Sequence, residues 1–217
     1  MSYIHFVMQF FSLFLQGTVV TVQVTICGLL LGLVLGVVAA LMNISKLPVL
    51  PWIARLYTWA IRGTPLLVQI LIIYAGLPQI GINMNAFVSG VLALGINAGA
   101  YIAEIVRAGI LSIDPGQMEA AESLGMRYGL AMRRIIFPQA YRRLLPPLVN
   151  EFVALLKDSS LVSTMALTEL LRVGQQVSAA TFKPMQTYIT VGLFYLMMTS
   201  IIVFISSRIE RRLEVRS

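Results

Sequence analysis

Charged positions are absent from the chain between Phe6 and Ser45, and again between Gly63 and Ala103. A helix needs about 20 mostly apolar residues to cross a bilayer, so each stretch is long enough for more than one crossing element. The pattern predicts about five spans, over residues 16–42, 52–78, 84–108, 144–165 and 184–206. An aromatic segment, IHFVMQFFSLF, precedes the first and is expected to lie along the membrane interface. The fold class expected is therefore an all-α integral membrane protein. It has one transmembrane domain over residues 1–217 and a polar insert over residues 114–138 between the third and fourth spans.

Two stretches carry packing signals. In GLLLGLVLG, Gly28, Gly32 and Gly36 recur every four residues and share a helix face, and GINAG repeats the spacing at Gly95 and Gly99. Small residues on one face let membrane helices approach closely; the plain alternative is that membrane helices are simply rich in glycine. In RGTP, Pro65 has no backbone N–H to donate, so a kink or break is expected there, or else an ordinary helix start with Arg62 snorkelling.

Composition supports the membrane reading: 58% of residues are hydrophobic and 12% charged, against about 25% charged in a soluble domain. The net charge of +7 does not point to nucleic acid, because the basic residues sit in short segments between apolar runs. Lys46, Arg55 and Arg62 cluster around the first connection. Arg107, Arg127, Arg133, Arg134, Arg142 and Arg143 mark the third, and Arg208, Arg211, Arg212 and Arg216 the C-terminal end. The opposite side has only Arg172 and Lys183. Positive residues favour the cytoplasm, so the insert and the C-terminus are expected inside and the N-terminus outside. Met1 to Phe11 carries no Lys or Arg, so no cleavable signal is expected. The lone Cys27 is expected to be buried and inert. His5 has no partner for a metal and reads as an interfacial residue.

The insert is charged and helix-prone. Asp114 can cap a helix, Pro115 suits its first position, and Gln117 falls at capping-box spacing. Gly125 offers a stop. A second helix, MRYGLAMRRIIF, follows, which Pro138 ends or bends. The pair either docks on another protein or merely ties two spans together at the membrane surface. Glu119, Ala120, Ala121, Gly125, Ile135 and Pro138 satisfy the pattern Glu-Ala-Ala, three residues, Gly, nine residues, Ile, two residues, Pro. This resembles the cytoplasmic coupling loop of ATP-binding-cassette importer permeases, although Phe137 stands where the family often has Leu. RGTPLLVQ, NAGAYIAEIVRAGILSI, LPPLVNEFVALLKDSSLVS and the tail RIERRLEVR resemble the polar amino acid branch, so the likeness covers nearly the whole chain.

The resemblance implies a bacterial cytoplasmic (inner) membrane permease whose Glu119, Ala120, Ala121, Gly125 and Pro138 segment docks on a separate ATPase that binds ATP and Mg. It also implies a second permease subunit, an extracytoplasmic substrate-binding protein and an amino acid substrate. No cofactor is expected in this chain. Lys46, Lys157 and Lys183 all follow residues other than Gly, so the phosphate-loop pattern G-x-x-x-x-G-K-[ST] is missing. No catalytic set is present.

An ionisable residue near the bilayer centre costs about 2.5–3.5 kcal/mol on insertion scales, yet the fourth span holds Glu151, Lys157 and Asp158. Glu151, Leu155 and Asp158 fall at i, i+4 and i+7 on one face. The two acids either pair with Lys157 to fix packing or line a polar path. On the second reading they lie about 10 Å apart along the axis and suit a substrate's ammonium and a cationic side chain. The resemblance puts this segment on the substrate path, with Glu151 the candidate for selectivity. A basic amino acid (arginine, lysine, histidine) is the leading substrate, and glutamine or another polar amino acid the alternative. Thr64, Gln69 and Asn97 are candidate hydrogen-bonding partners. The segment TMALTELLRVGQQVSAATFK is expected to form an outer amphipathic helix whose Glu169, Arg172 and Lys183 face the binding protein. The rival of a different class is a self-sufficient ion-coupled transporter, against which stands the lack of a recognisable inverted repeat.

Overall fold

A computed structural model describes residues 3–214, with side-chain environments through Glu210; Arg216, counted above in the basic tail, and the side chains of Arg211 and Arg212 lie outside the described residues. The chain forms α1 (Tyr3–Asn43), α2 (Val49–Arg62) and α3 (Leu66–Leu71), which runs on through a π turn (Ile72–Gly76) and a 3-10 turn (Leu77–Ile80). Next come α4 (Ala86–Leu111), α5 (Pro115–Ser123), α6 (Tyr128–Ala131), a π turn (Met132–Ile136) and α7 (Phe137–Asp158). A 3-10 turn (Ser159–Thr164), α8 (Leu170–Thr181) and α9 (Pro184–Glu214) complete it. No strand occurs among the described residues, so the all-α class holds.

Three helices, α1, α4 and α9, are long and apolar enough to cross a membrane, and the bent α2–α3 pair makes a fourth if taken as one span. The expected count of five is therefore looser than the pattern implied. Residues 144–165 lie in α7 and the following turn, where Arg142, Arg143, Glu151, Lys157 and Asp158 hold down the apolarity. Nor does the aromatic N-terminal segment lie apart from the first span. It belongs to α1, and Phe6 and Phe14 are buried against Val177 of α8 and Val191 and Phe194 of α9. Aromatic rings that find a protein partner gain more contact than at a lipid interface.

α1 and α4 meet along their glycines. A Cβ built on Gly28 would lie 3.0 Å from Leu94 Cβ, one on Gly32 3.0 Å from Ala98 Cβ and 3.2 Å from Gly95 O, and one on Gly36 2.5 Å from Ile102 Cγ2. The reverse holds for α4: Gly95 would meet Leu31 at 2.7 Å, and Gly99 would meet the Tyr57 hydroxyl at 2.7 Å and Leu35 Cβ at 3.0 Å. The four-residue spacing is thus a packing seam, in which backbones come close and dispersion acts over many atom pairs. Cys27 falls off this stripe and is exposed rather than buried.

The polar insert packs on the same core through Met132 and Ile136, with Ile113, Ala140 and Leu144 on its flanks. Asp114 accepts from the Gly116 N–H at 2.8 Å with Pro115 at the first helical turn of α5. The Gln117 side chain does not close a capping box; it accepts from Gln139 at 3.3 Å, which ties α5 to α7. At the other end Gly125 adopts φ 76°. Its N–H donates to Glu122 O at 2.8 Å and the Met126 N–H to Ala121 O at 3.0 Å, the two bonds of a Schellman cap. Pro138 does not end the second helix. The run from Tyr128 to Asp158 stays helical, because the π turn just before Pro138 shifts the hydrogen-bond register around its missing N–H. Arg143 donates to the Ser112 carbonyl and, at 3.1 Å, to its hydroxyl, fastening α7 to the end of α4.

Overpacking a closed seam costs about 1–3 kcal/mol. Gly36→Leu should therefore lower the thermal midpoint of the purified protein in detergent. Gly192→Ala, where an added Cβ meets nothing within 4 Å, should leave it in place. Equal midpoints would show that the α1–α4 approach does not hold the fold.

Candidate functional site: a polar cavity at a broken helix

The apolar run 52–78 is not one straight span: α2 and α3 meet at an angle of 101°. Pro65 (φ −63°, ψ 136°) is extended, and a residue before proline is steered away from helix. The break strands carbonyl groups, which at membrane depth cost several kcal/mol each if left unpaired. The local sequence covers them. Gly63 N–H bonds to Trp59 O at 2.9 Å, and Thr64 Oγ1 donates to Ala60 O at 2.9 Å. Gln69 Nε2 donates to Ile61 O at 2.8 Å, to Thr64 O at 3.1 Å and to Thr64 Oγ1 at 2.9 Å. Asn97 Nδ2 of α4 donates to Gln69 Oε1 at 3.0 Å and so locks the break against the central helix.

Irregular backbone at this depth is tolerated where it is buried or lines a water-filled cavity. Here it lines a cavity of about 550 Å³, walled by Arg62 to Leu66, Asn97 and Tyr101 of α4, and Glu151, Ala154 and Asp158 of α7. Four candidates, Thr64, Asn97, Glu151 and Asp158, therefore meet in one place. Ala154 stands between the two acids, at i+3 from Glu151; Leu155 turns the other way and is buried. Gln69 does not line the cavity; its amide is committed to the break. Lys157 does not line it either and forms no ion pair, the one such pair among the described residues being Arg107–Glu104 at 2.9 Å.

Sequence reasoning missed two residues, Arg62 and Tyr101. Arg62, read as an interfacial snorkel, lines the cavity with its guanidinium carbon 5.3 Å from the centroid of the Tyr101 ring. The signal was present: an arginine next to a helix-breaking Gly-Thr-Pro cannot continue the helix surface and falls at the break. Among the described residues no group of His, Cys, Asp and Glu is arranged to hold a metal ion.

The expected amphipathic helix is α8, with Leu170, Val173 and Val177 buried. Glu169 is not a surface contact, because it is fully buried. It caps α8 by accepting from Leu171 N–H at 2.9 Å and Arg172 N–H at 2.6 Å. Tyr195 of α9 donates to it at 2.9 Å and Thr21 of α1 at 3.3 Å. A buried carboxylate is stable only with such partners, so the residue fastens α8 to two long helices. Arg172 remains exposed and Lys183 half-exposed.

The family model described as "binding-protein-dependent transport system inner membrane component" matches residues 32–216. The chain is 40% identical over 201 residues to the arginine transport system permease protein ArtQ of Bacillus subtilis (strain 168), covering 92% of each chain. It is also 40% identical over 204 residues to the probable glutamine ABC transporter permease protein GlnM of the same organism, covering 94% of each. Among solved structures it superposes with a TM-score of 0.91 and 42% identity on a crystal structure of an amino acid ABC transporter with histidines, covering 98% of this chain and 99% of that one.

Two substitutions test the local bonding. Gln69→Leu leaves the Thr64 carbonyl without its donor and the Asn97 amide without its acceptor, and leaves the Ile61 carbonyl only the long bonds from Thr64 at 3.4 and 3.5 Å; at about 1–3 kcal/mol for a buried group left unpaired, it should destabilise the purified protein. Glu169→Ala strands the Tyr195 hydroxyl and two N–H groups and should cost at least as much, while Glu169→Gln, which keeps an acceptor oxygen, should cost less. Melting curves of the three variants beside the parent decide both.

Proposed function

The chain belongs to the family of binding-protein-dependent transport system inner membrane components, and on that premise we propose that it is the membrane-spanning permease subunit of an ATP-driven amino acid importer. Arg62, Glu151 and Asp158 lining one cavity are the observation that carries this reading. An amino acid brings a carboxylate and an ammonium about 3–4 Å apart, so one cation and at least one anion are needed to satisfy both by charge-assisted hydrogen bonds. The cavity volume falls within the range of about 300–1,000 Å³ typical of small-ligand sites. Arg62, stacked on Tyr101, takes the carboxylate; Asp158 takes the ammonium; Glu151 faces the side chain. With both acids ionised the three groups sum to one negative charge, which a ligand of one positive charge balances. That favours arginine or lysine, and histidine when its imidazole is protonated. Thr64 and Asn97 add hydrogen-bonding groups. The names of the similar permeases include both arginine and glutamine, so glutamine stands as the second substrate.

The subunit does no chemistry of its own in this reading. ATP and Mg bind a partner ATPase, and α5 is the joint. Glu119 and Ala120 are exposed and Leu124 is 82% exposed, while Ala121 turns inward. An apolar tip beside small and acidic side chains suits a groove on another protein. Because the insert shares the bundle's core, a push on α5 is carried by packed side chains toward the spans. A second permease subunit completes the pathway, and an extracytoplasmic binding protein delivers substrate near α8. The insert and C-terminus are cytoplasmic and the N-terminus external, in a bacterial inner membrane among its lipids.

Two measurements test this. With the ATPase and binding protein in proteoliposomes, arginine and lysine should stimulate ATP turnover more than glutamine does. Glu151→Gln should weaken the arginine response by about tenfold, the loss of one charged hydrogen bond of about 1.4 kcal/mol. If glutamine matches arginine, the basic preference fails; uptake that continues without ATP favours the ion-coupled rival. For the joint, Gly125→Val should separate ATP turnover from uptake while Gly125→Asn is tolerated. A side chain there meets no atom within 4 Å, and the penalty comes from the left-handed backbone, about 1–2 kcal/mol and least for Asn.

A further inference from the structure

A second cavity, of about 730 Å³, lies where the end of α1 meets the insert. Its walls are apolar at Leu41, Ile44 and Phe137 and basic at Lys46 and Arg133, with Tyr128 at the edge. No carboxylate lines it. Lys46 and Arg133 are exposed, and neither has an ion-pair partner among the described residues. Ser45 Oγ accepts from the Leu47 N–H at 3.2 Å, which leaves its own hydrogen to donate. The cavity continues into an apolar track on α1. Val34, Val38 and Leu41 fall at i, i+4 and i+7 on one face and are 63%, 50% and 42% exposed.

We propose that this cavity is a binding site for an anionic phospholipid. The phosphate sits between Lys46 and Arg133 with the Ser45 hydroxyl as a further donor, and an acyl chain runs along Leu41, Val38 and Val34. Charge complementarity selects the headgroup, because basic pockets on the cytoplasmic side of membrane helices attract anionic lipid. Continuity with the exposed apolar track selects a lipid over a soluble anion. None of the lining residues belongs to α5, so the site is separate from the docking face proposed above. The lipid would bridge the end of α1 to the insert, holding the coupling joint against the bundle.

The test uses the permease–ATPase complex purified in detergent, titrated with phosphatidylglycerol or phosphatidylcholine and read by native mass spectrometry. The parent complex should retain phosphatidylglycerol over phosphatidylcholine, and excess inorganic phosphate should not displace it. Lys46→Gln with Arg133→Gln should weaken retention roughly 25-fold, at ~5-fold for each cation removed. The charge-keeping pair Lys46→Arg with Arg133→Lys should retain it. Equal retention of the two lipids, displacement by phosphate, or undiminished retention in the neutralised pair would each overturn the proposal. So would loss of the ATPase from the neutralised pair with lipid retention intact, which would make this face a protein contact. The readout requires no transport, so its failure is distinct from failure of the importer reading.

Discussion

The close approach of α1 to α4 is the constraint on which the other elements depend. In lipid, apolar side chains gain little by leaving the solvent, so helices associate through packing itself. Glycines on both partners remove the Cβ atoms that would hold the backbones apart. With α1 seated, its N-terminal aromatic end reaches α8 and α9, and its C-terminal end reaches the insert. With α4 seated, Asn97 and Tyr101 stand beside the break between α2 and α3. A looser α1–α4 contact would carry the cavity walls and the coupling insert away with it.

The cavity is a consequence of how the break is resolved. A proline in an apolar run frees carbonyl groups that lipid cannot satisfy. Thr64 and Gln69 satisfy them locally, and Asn97 extends the network to the central helix. This leaves a bend with its polar side turned toward α7, and Glu151 and Asp158 face it. Opposed charges therefore line one cavity, beside a break whose freed carbonyls are held by Thr64 and Gln69.

The insert is joined to the bundle by a different means. Its first helix, α5, is capped at both ends, the insert shares the apolar core, and Arg143 and the Gln117–Gln139 pair bind its flanks to α4 and α7. The insert is therefore packed at its root. Its exposed face, by contrast, carries Glu119 and Glu122, which form no ion pair among the described residues. Glu169 does for α8 what Arg143 does for the insert. One buried acid, bonded on every side, fixes a short helix to long ones.

The residue order by itself determined what depends on local chemistry and on the solvent. Long uncharged runs require a membrane. Asp114, Pro115 and Gly125 bound α5 through backbone geometry that no neighbour alters. The four-residue glycine spacing marks a seam, and the coupling pattern and the broader likeness identify the family. Tertiary structure decided whatever depends on which surfaces meet. Nothing local shows that Phe6 and Phe14 pack inward, that Cys27 lies off the seam, or that Glu169 is buried, because burial is a property of the neighbour and not of the residue. Gln69 and Arg62 exchanged their expected parts for the same reason. One amide lies within reach of stranded carbonyls and is consumed by them. The guanidinium, released from the helix surface by the break, is carried to the cavity by a 101° bend.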